Sequence, residues 1–139
     1  MTTPLTVDAI NAAVMASFPG SHHRCHEIGD GYAISRFVPD DTCIRPGGYI
    51  SGPTQFAAAD AVLWYAAFVG LGRIEEMALT SELSIRFLRP AIGEVLWARG
   101  DIEIVTRRSI VGTVRVWCDD RPDKPTATAQ GTYAIPAPR

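Results

Sequence analysis

The sequence predicts an α+β domain in which a long central helix is wrapped by a curved antiparallel β-sheet. Three observations predict it. Phe56 to Leu71 is almost purely apolar, so a helix there must be covered by protein on most sides. Most of the segments between Met77 and Ile135 alternate apolar and polar residues, as half-buried strands do. Short links join those segments, and short links imply antiparallel pairing. The 139 residues suffice for one domain with a substantial core, taken here as spanning 1–139.

Composition narrows the function classes. Apolar residues make up 47% and charged residues 20%, which excludes a disordered chain. A net charge of -2, with no basic tail or arginine stripe, argues against general nucleic-acid binding. The N-terminal segment lacks the charged and apolar regions of a signal peptide. Phe56 to Leu71 reads as too short for a membrane span, and Asp60 interrupts it. Cys25, Cys43 and Cys118 are odd in number and irregularly spaced, so a reduced cytoplasmic setting is expected.

The elements follow in order. Val7, Ile10, Val14 and Phe18 fall on one face of a short helix at about 6–18, with Thr6 as N-cap and Pro19-Gly20 as terminator. Ser21 to Ile28 reads as a polar, partly exposed first strand. It holds His22, His23 and His26, but His22 and His26 would lie roughly 13 Å apart on a strand, too far for one metal ion. Gly29-Asp30-Gly31 turns the chain into a second strand, Tyr32 to Val38. A long loop from Pro39 to Pro53 follows, and loops of that length are often functional.

The central helix is expected to start near Thr54, a possible cap beside Ser51 and Pro53. It should end at Gly70 or Gly72. Asp60 is the one acid within it, and a buried acid must be paired, hydrogen-bonded or facing a cavity. Four strands follow: Met77 to Leu88, Glu94 to Thr106 with a bend or bulge at Gly100, Ile110 to Cys118, and Thr126 to Ile135. Trp97 or Trp117 would sit on the sheet face away from the helix, where a second copy would cover it, so a dimer is expected.

Two motifs carry a family resemblance. S-G-P-T-Q-F-A-A-A-D-A enters the helix, and T-S-E-L-S-I-R-F-L-R-P-A follows it. With Gly131-Thr132-Tyr133 in the last strand, the chain from Ser21 to Ile135 resembles the PaaI-like hotdog-fold acyl-CoA thioesterases. Hotdog proteins also include dehydratases and non-catalytic members. The family's His-Gly-Gly loop and helical Asp align on Ser51, Gly52, Pro53 and Asp60, and its preceding Asn falls near Arg45. The acid and the first glycine are kept, while the histidine, the asparagine and the second glycine are replaced.

The resemblance implies hydrolysis of an acyl-CoA thioester at a site shared by two subunits. Asp60 would be the general base or nucleophile. Backbone N–H groups at Gly52, Thr54 or Gln55 would hold the oxyanion at the helix start. Ser51 would position carbonyl or water, or merely cap the helix. Gln55 would orient the substrate, or face solvent. Phe56 and Trp64, with Tyr65 and Phe68, would bound an aromatic or medium-chain acyl pocket, or simply pack the core. Ser81 and Ser84 would face the groove, or be ordinary sheet positions. Arg107, Arg108, Arg86, Arg89 and Arg45 are candidates for the phosphates of coenzyme A. Arg45 is also a candidate partner for Asp60, as are Tyr49 and Thr80. No cofactor is expected beyond the coenzyme A of the substrate, and no metal. The assembly is expected to be a homodimer, or a tetramer built of two dimers. Two rival readings are a non-catalytic acyl-CoA or lipid-binding hotdog protein and a hydratase or dehydratase.

Overall fold

A computed structural model describes residues 4–137, so the two ends of the expected 1–139 domain lie outside it. The elements are α1 (Val7–Ser17), β1 (Arg24–Gly29), β2 (Tyr32–Phe37), a 3-10 turn (Asp41–Cys43), β3 (Ile44–Arg45), β4 (Tyr49–Ile50), α2 (Gly52–Leu71), β5 (Leu79–Phe87), β6 (Leu96–Val105), β7 (Ser109–Cys118) and β8 (Ala127–Ala134). Six strands form one antiparallel sheet in the order β1-β2-β6-β7-β8-β5. The long helix α2 packs chiefly on β6, with β2 and β7 beside it. This is the hotdog arrangement.

Helix α2 is apolar all round, and ten of its residues are buried. By length and composition it matches a bilayer span, which the sequence reading placed out of reach. Its burial inside the chain accounts for the same composition. Ser51, not Thr54, is the N-cap, three residues earlier: its hydroxyl accepts from the Thr54 N–H at 3.2 Å, and Pro53 fits within the first turn, where its missing N–H costs nothing. Gly72 ends the helix in the left-handed conformation, φ 72°, its N–H closing on Phe68 and Val69.

Glycines in the sheet let the helix come close. Gly112 and Gly131 pair across β7 and β8. A Cβ at either would stand 2.8 or 3.0 Å from a methyl of fully buried Leu63. Gly100, expected to mark a bulge, stays in register and lies beneath Val62 and Ala66. The irregularity in β6 falls between Ile102 and Ile104 instead.

Two other expectations change. The loop from Pro39 to Pro53 is not structureless: it holds the 3-10 turn and the two-stranded ribbon β3–β4. Gly47 and Gly48, with φ of 96° and 79°, make the ribbon's turn. Phe18 lies past the end of α1 as its C-cap, so the buried face is Ile10, Ala13 and Val14. Helix α1 is fastened to β1 by Asn11, whose amide donates to the Cys25 carbonyl and accepts from its N–H.

Candidate active site

Asp60 sits half-buried on the third turn of α2, and its carboxylate is held asymmetrically. Thr80 Oγ1 donates to Oδ1 at 2.7 Å and Tyr133 Oη donates to the same oxygen at 2.6 Å. The Tyr133 hydroxyl also reaches the Asp60 carbonyl at 2.9 Å. Among the described residues nothing donates to Oδ2. Burial, with the adjacent Asp60 charge, pushes the Tyr133 phenol well above its usual range, so it stays protonated as a donor. Neither Arg45 nor Tyr49 contacts Asp60. The ion pairs among the described residues are Arg73–Glu75 and Arg99–Asp101.

The acid opens onto a hollow of about 320 Å³. Ala57, Ala61, Trp64 and Tyr65 join Asp60 from α2, the two alanines leaving the space beside the carboxylate. Val14 of α1 and Phe18 just past its end close it on one side, and Ala78 and Leu79 at the start of β5 on the other. Phe18 meets Trp64 edge-on, with ring centres 5.6 Å apart, giving a largely apolar wall.

The start of α2 is a different place. Gly52, Gln55, Arg45 and Tyr49 line a second hollow with Phe87 and Arg89, and Phe56 lines an adjoining apolar one with Gly52 and Phe87. A side chain at Gly52 would stand 3.2 Å from the Phe87 ring. The expected cluster of backbone donors is thinner than the sequence suggests. Pro53 has no N–H, the Thr54 N–H is taken by the Ser51 hydroxyl, and the Gln55 N–H closes the first helical turn on Ser51. Gly52 keeps the available donor.

Several predicted residues have structural partners. Ser51 Oγ caps the helix and lies 2.7 Å from Thr54 Oγ1. Gln55 neither faces solvent nor stands free to orient a substrate. It is 4% exposed, accepts from Thr126 Oγ1 at 2.8 Å, and donates to the Ile50 carbonyl at 3.4 Å. Ser81 is the extra residue of a bulge in β5, exposed beside Thr80. Ser84 lines a groove with Arg86, Arg115 and Thr128 on the sheet face away from the helix, since Leu83 and Ile85 take the inward positions. Arg107 and Arg108 occupy the exposed β6–β7 turn. Of the predicted site residues, Asp60 and Trp64 share the first hollow. Arg45, Tyr49, Gly52 and Gln55 share the second, and a single chain does not bring the two groups together.

Sequence reasoning missed Tyr133 as the acid's main partner, although Gly131-Thr132-Tyr133 had drawn notice. It also missed His23. That residue precedes β1 rather than lying on an exposed strand, and it lines the Asp60 hollow with its ring stacked on Phe37 at 4.1 Å. Alternation with buried Cys25, two residues on, was the available signal.

Solved structures share this fold. A candidate thioesterase from Silicibacter sp. TM1040 is 26% identical, with a TM-score of 0.83 over 99% of this chain and 96% of that one. A thioesterase family protein from Silicibacter pomeroyi is 25% identical, with a TM-score of 0.71 over 89% and 90% of the two chains. The PaaI protein from the E. coli phenylacetic acid degradation operon, 18% identical, matches in fold with a TM-score of 0.69 over 91% and 90%. No curated protein sequence matches the chain. The family model described as Thioesterase superfamily matches residues 47–124, more than half the chain, a span that holds Gly52, Asp60 and Thr80. With that match and a PaaI-like hotdog fold, the chain belongs to the thioesterase superfamily.

Proposed function

We propose that the protein hydrolyses an acyl-CoA thioester to a free acid and coenzyme A, with Asp60 as the general base or nucleophile. One observation carries this reading: Oδ1 of Asp60 is fixed by two hydroxyls while Oδ2 is left free at an apolar hollow.

As general base, Oδ2 takes a proton from water as the water oxygen adds to the thioester carbon. The carbonyl electron pair moves onto oxygen, and the oxyanion is held by the Gly52 N–H at the positive end of a helix. Collapse breaks the C–S bond, and the departing thiolate takes the proton from Asp60. As nucleophile, Oδ2 adds to the carbon itself, and collapse breaks the C–S bond and expels coenzyme A as the thiolate; water then cleaves the resulting anhydride to the free acid and the Asp60 carboxylate, and its proton goes to the thiolate. Both routes begin from the same free oxygen.

Asp60 and Gly52 are eight residues apart on one helix, about 12 Å along its axis, so one thioester cannot meet both within a chain. A homodimer that sets the helix start of one copy beside the acid of the other resolves this. The free outer edge of β5, flanked by exposed Leu79 and Phe87, supports such pairing. Trp97 and Trp117, paired on the outer face, offer a second contact for a tetramer. Arg45 and Arg89 beside Gly52, and Arg107 and Arg108 at the β6–β7 turn, are the cations proposed for the coenzyme A phosphates.

A specific observation favours the rival reading of binding without turnover. The helix start retains a single backbone donor, because Pro53 and the Ser51 cap remove the others. Assay of the purified protein with a panel of acyl-CoAs decides between them. Thiol release is expected. Tight binding of CoA esters with no thiol release would leave a binding protein.

A further inference from the structure

A cationic hollow lies where β1 and β2 meet, and its volume is about 300 Å³. His22, Arg24, His26 and Arg36 line it with Cys25 and Val38, so four donor side chains gather there and no carboxylate does. Arg24 and Arg36 take the sheet face away from α2, because Cys25 and Phe37, one residue along each strand, are buried. Asp60 and Gly52 belong to α2 and so lie on the other side of the sheet. His26 is the extra residue of a bulge between Cys25 and Glu27, which re-aims side chains at this edge.

The register makes the cluster costly. Arg24 and Arg36 are direct partners across β1 and β2, and like charges set opposite each other in an antiparallel pair are destabilising. Arg99 and Arg115 are opposed in the same way, but there Asp101 ion-pairs with Arg99 at 3.1 Å. Nothing equivalent serves Arg24 or Arg36. The ion pairs among the described residues include neither, and Glu27, the acid nearest Arg24 in sequence, accepts from the Tyr32 hydroxyl.

Both guanidinium groups are nevertheless held in place. One terminal nitrogen of Arg24 donates to the Ser21 carbonyl at 2.8 Å and to the His23 carbonyl at 2.7 Å. The Arg36 guanidinium lies over the Trp97 ring, 5.8 Å from its centre, and the His26 ring meets the same indole edge-on at 4.9 Å. The other donors of both arginines have no acceptor among the described residues. Cations fixed in this way lose little freedom when an anion arrives.

We propose that this hollow binds a phosphoryl group, the dianionic phosphate monoester of a small molecule other than the thioester. Two guanidinium charges balance the dianion, and two forks with the imidazole N–H groups beside them match its three terminal oxygens. A carboxylate, with one charge and two oxygens, engages one fork and leaves the opposed charges unbalanced. The bound phosphate relieves the repulsion that the register builds in. This binding does not depend on the thioesterase reading.

The test titrates the wild type, Arg36→Gln and Arg36→Lys in phosphate-free buffer of low ionic strength. The probes are inorganic phosphate, glycerol 3-phosphate, acetate and coenzyme A. Arg36 is exposed, and melting curves confirm that the variants fold. The wild type is expected to bind the two phosphates alike and acetate at least about tenfold more weakly. Arg36→Gln should weaken both phosphates about tenfold, and Arg36→Lys, which keeps the charge without the fork, should weaken them less. Coenzyme A affinity should be the same in all three proteins. No phosphate binding by the wild type, or acetate bound as well as phosphate, overturns the proposal, and neither outcome needs a variant. Phosphate affinity unchanged in Arg36→Gln also overturns it. So does a loss of coenzyme A affinity in Arg36→Gln, which gives the hollow to the phosphates of the substrate instead.

Discussion

In the first turn of α2, polar side chains are turned onto the protein itself. Ser51 closes on the Thr54 N–H, and Gln55 is sealed between Thr126 and Ile50. Two turns later Asp60 has a fixed oxygen and a free one, and it faces a cavity. Both places hold polar groups near apolar surface, but only the second leaves a side-chain atom unmatched. The contrast separates residues that build the helix start from the residue available for chemistry. It also divides the proposed machinery: the first turn contributes its backbone, and the third contributes a side chain.

The contrast can be broken at either place. At the helix start the largest effect is expected at Gly52. In Gly52→Val the added side chain crowds the Phe87 ring, 3.2 Å from the new Cβ, and covers the remaining donor, so thiol release should fall on the order of 100-fold with overall fold retained by circular dichroism. Unchanged turnover would take Gly52 out of the oxyanion role. Gln55→Leu leaves the Thr126 hydroxyl and the Ile50 carbonyl short of partners. It should cost about 2 kcal/mol in urea unfolding while the folded protein keeps its kcat. A large loss of kcat at full stability would return Gln55 to the substrate.

His23 gives a pH test of the hollow. Burial, and then the neighbouring Arg24 charge, puts its folded pKa at about 4, below the ordinary imidazole value of about 6.5, so the unfolded chain binds the proton more readily in that interval. Stability is therefore complete above about pH 6.5 and falls as pH drops toward 4. The loss at pH 5 is about 2 kcal/mol, and urea curves at pH 7 and pH 5 should differ less in His23→Phe by that amount. An identical pH dependence in the variant would place the imidazole in solvent. The smallest effect belongs to Ser51→Ala, where losing the cap should cost about 1 kcal/mol and leave turnover near wild type. Strong loss of activity there would make Ser51 a participant in the reaction.

Much of the fold was legible because its signals are local. The apolar run of α2 and the alternation in β7 follow from periods of 3.6 and 2 residues. The ribbon β3–β4 escaped because two-residue strands carry no period. The helix start was ambiguous because Ser51, Pro53 and Thr54 each suit a cap or first turn. In the site, Asp60 announced itself as an acid among alanines. Its partners did not, since Thr80 and Tyr133 are 20 and 73 residues away and meet it only through the sheet order. Gln55 read as free because its partner Thr126 is 71 residues distant.

The central claim is that the free oxygen of Asp60 does the chemistry. The most direct measurement is kcat for thiol release from one acyl-CoA by Asp60→Asn beside the wild type, each confirmed folded by its melting curve. Asparagine still accepts from Thr80 and Tyr133 through its carbonyl but cannot take a proton from water, so a fall of about 100-fold or more is expected. Turnover retained in full by Asp60→Asn would contradict the account.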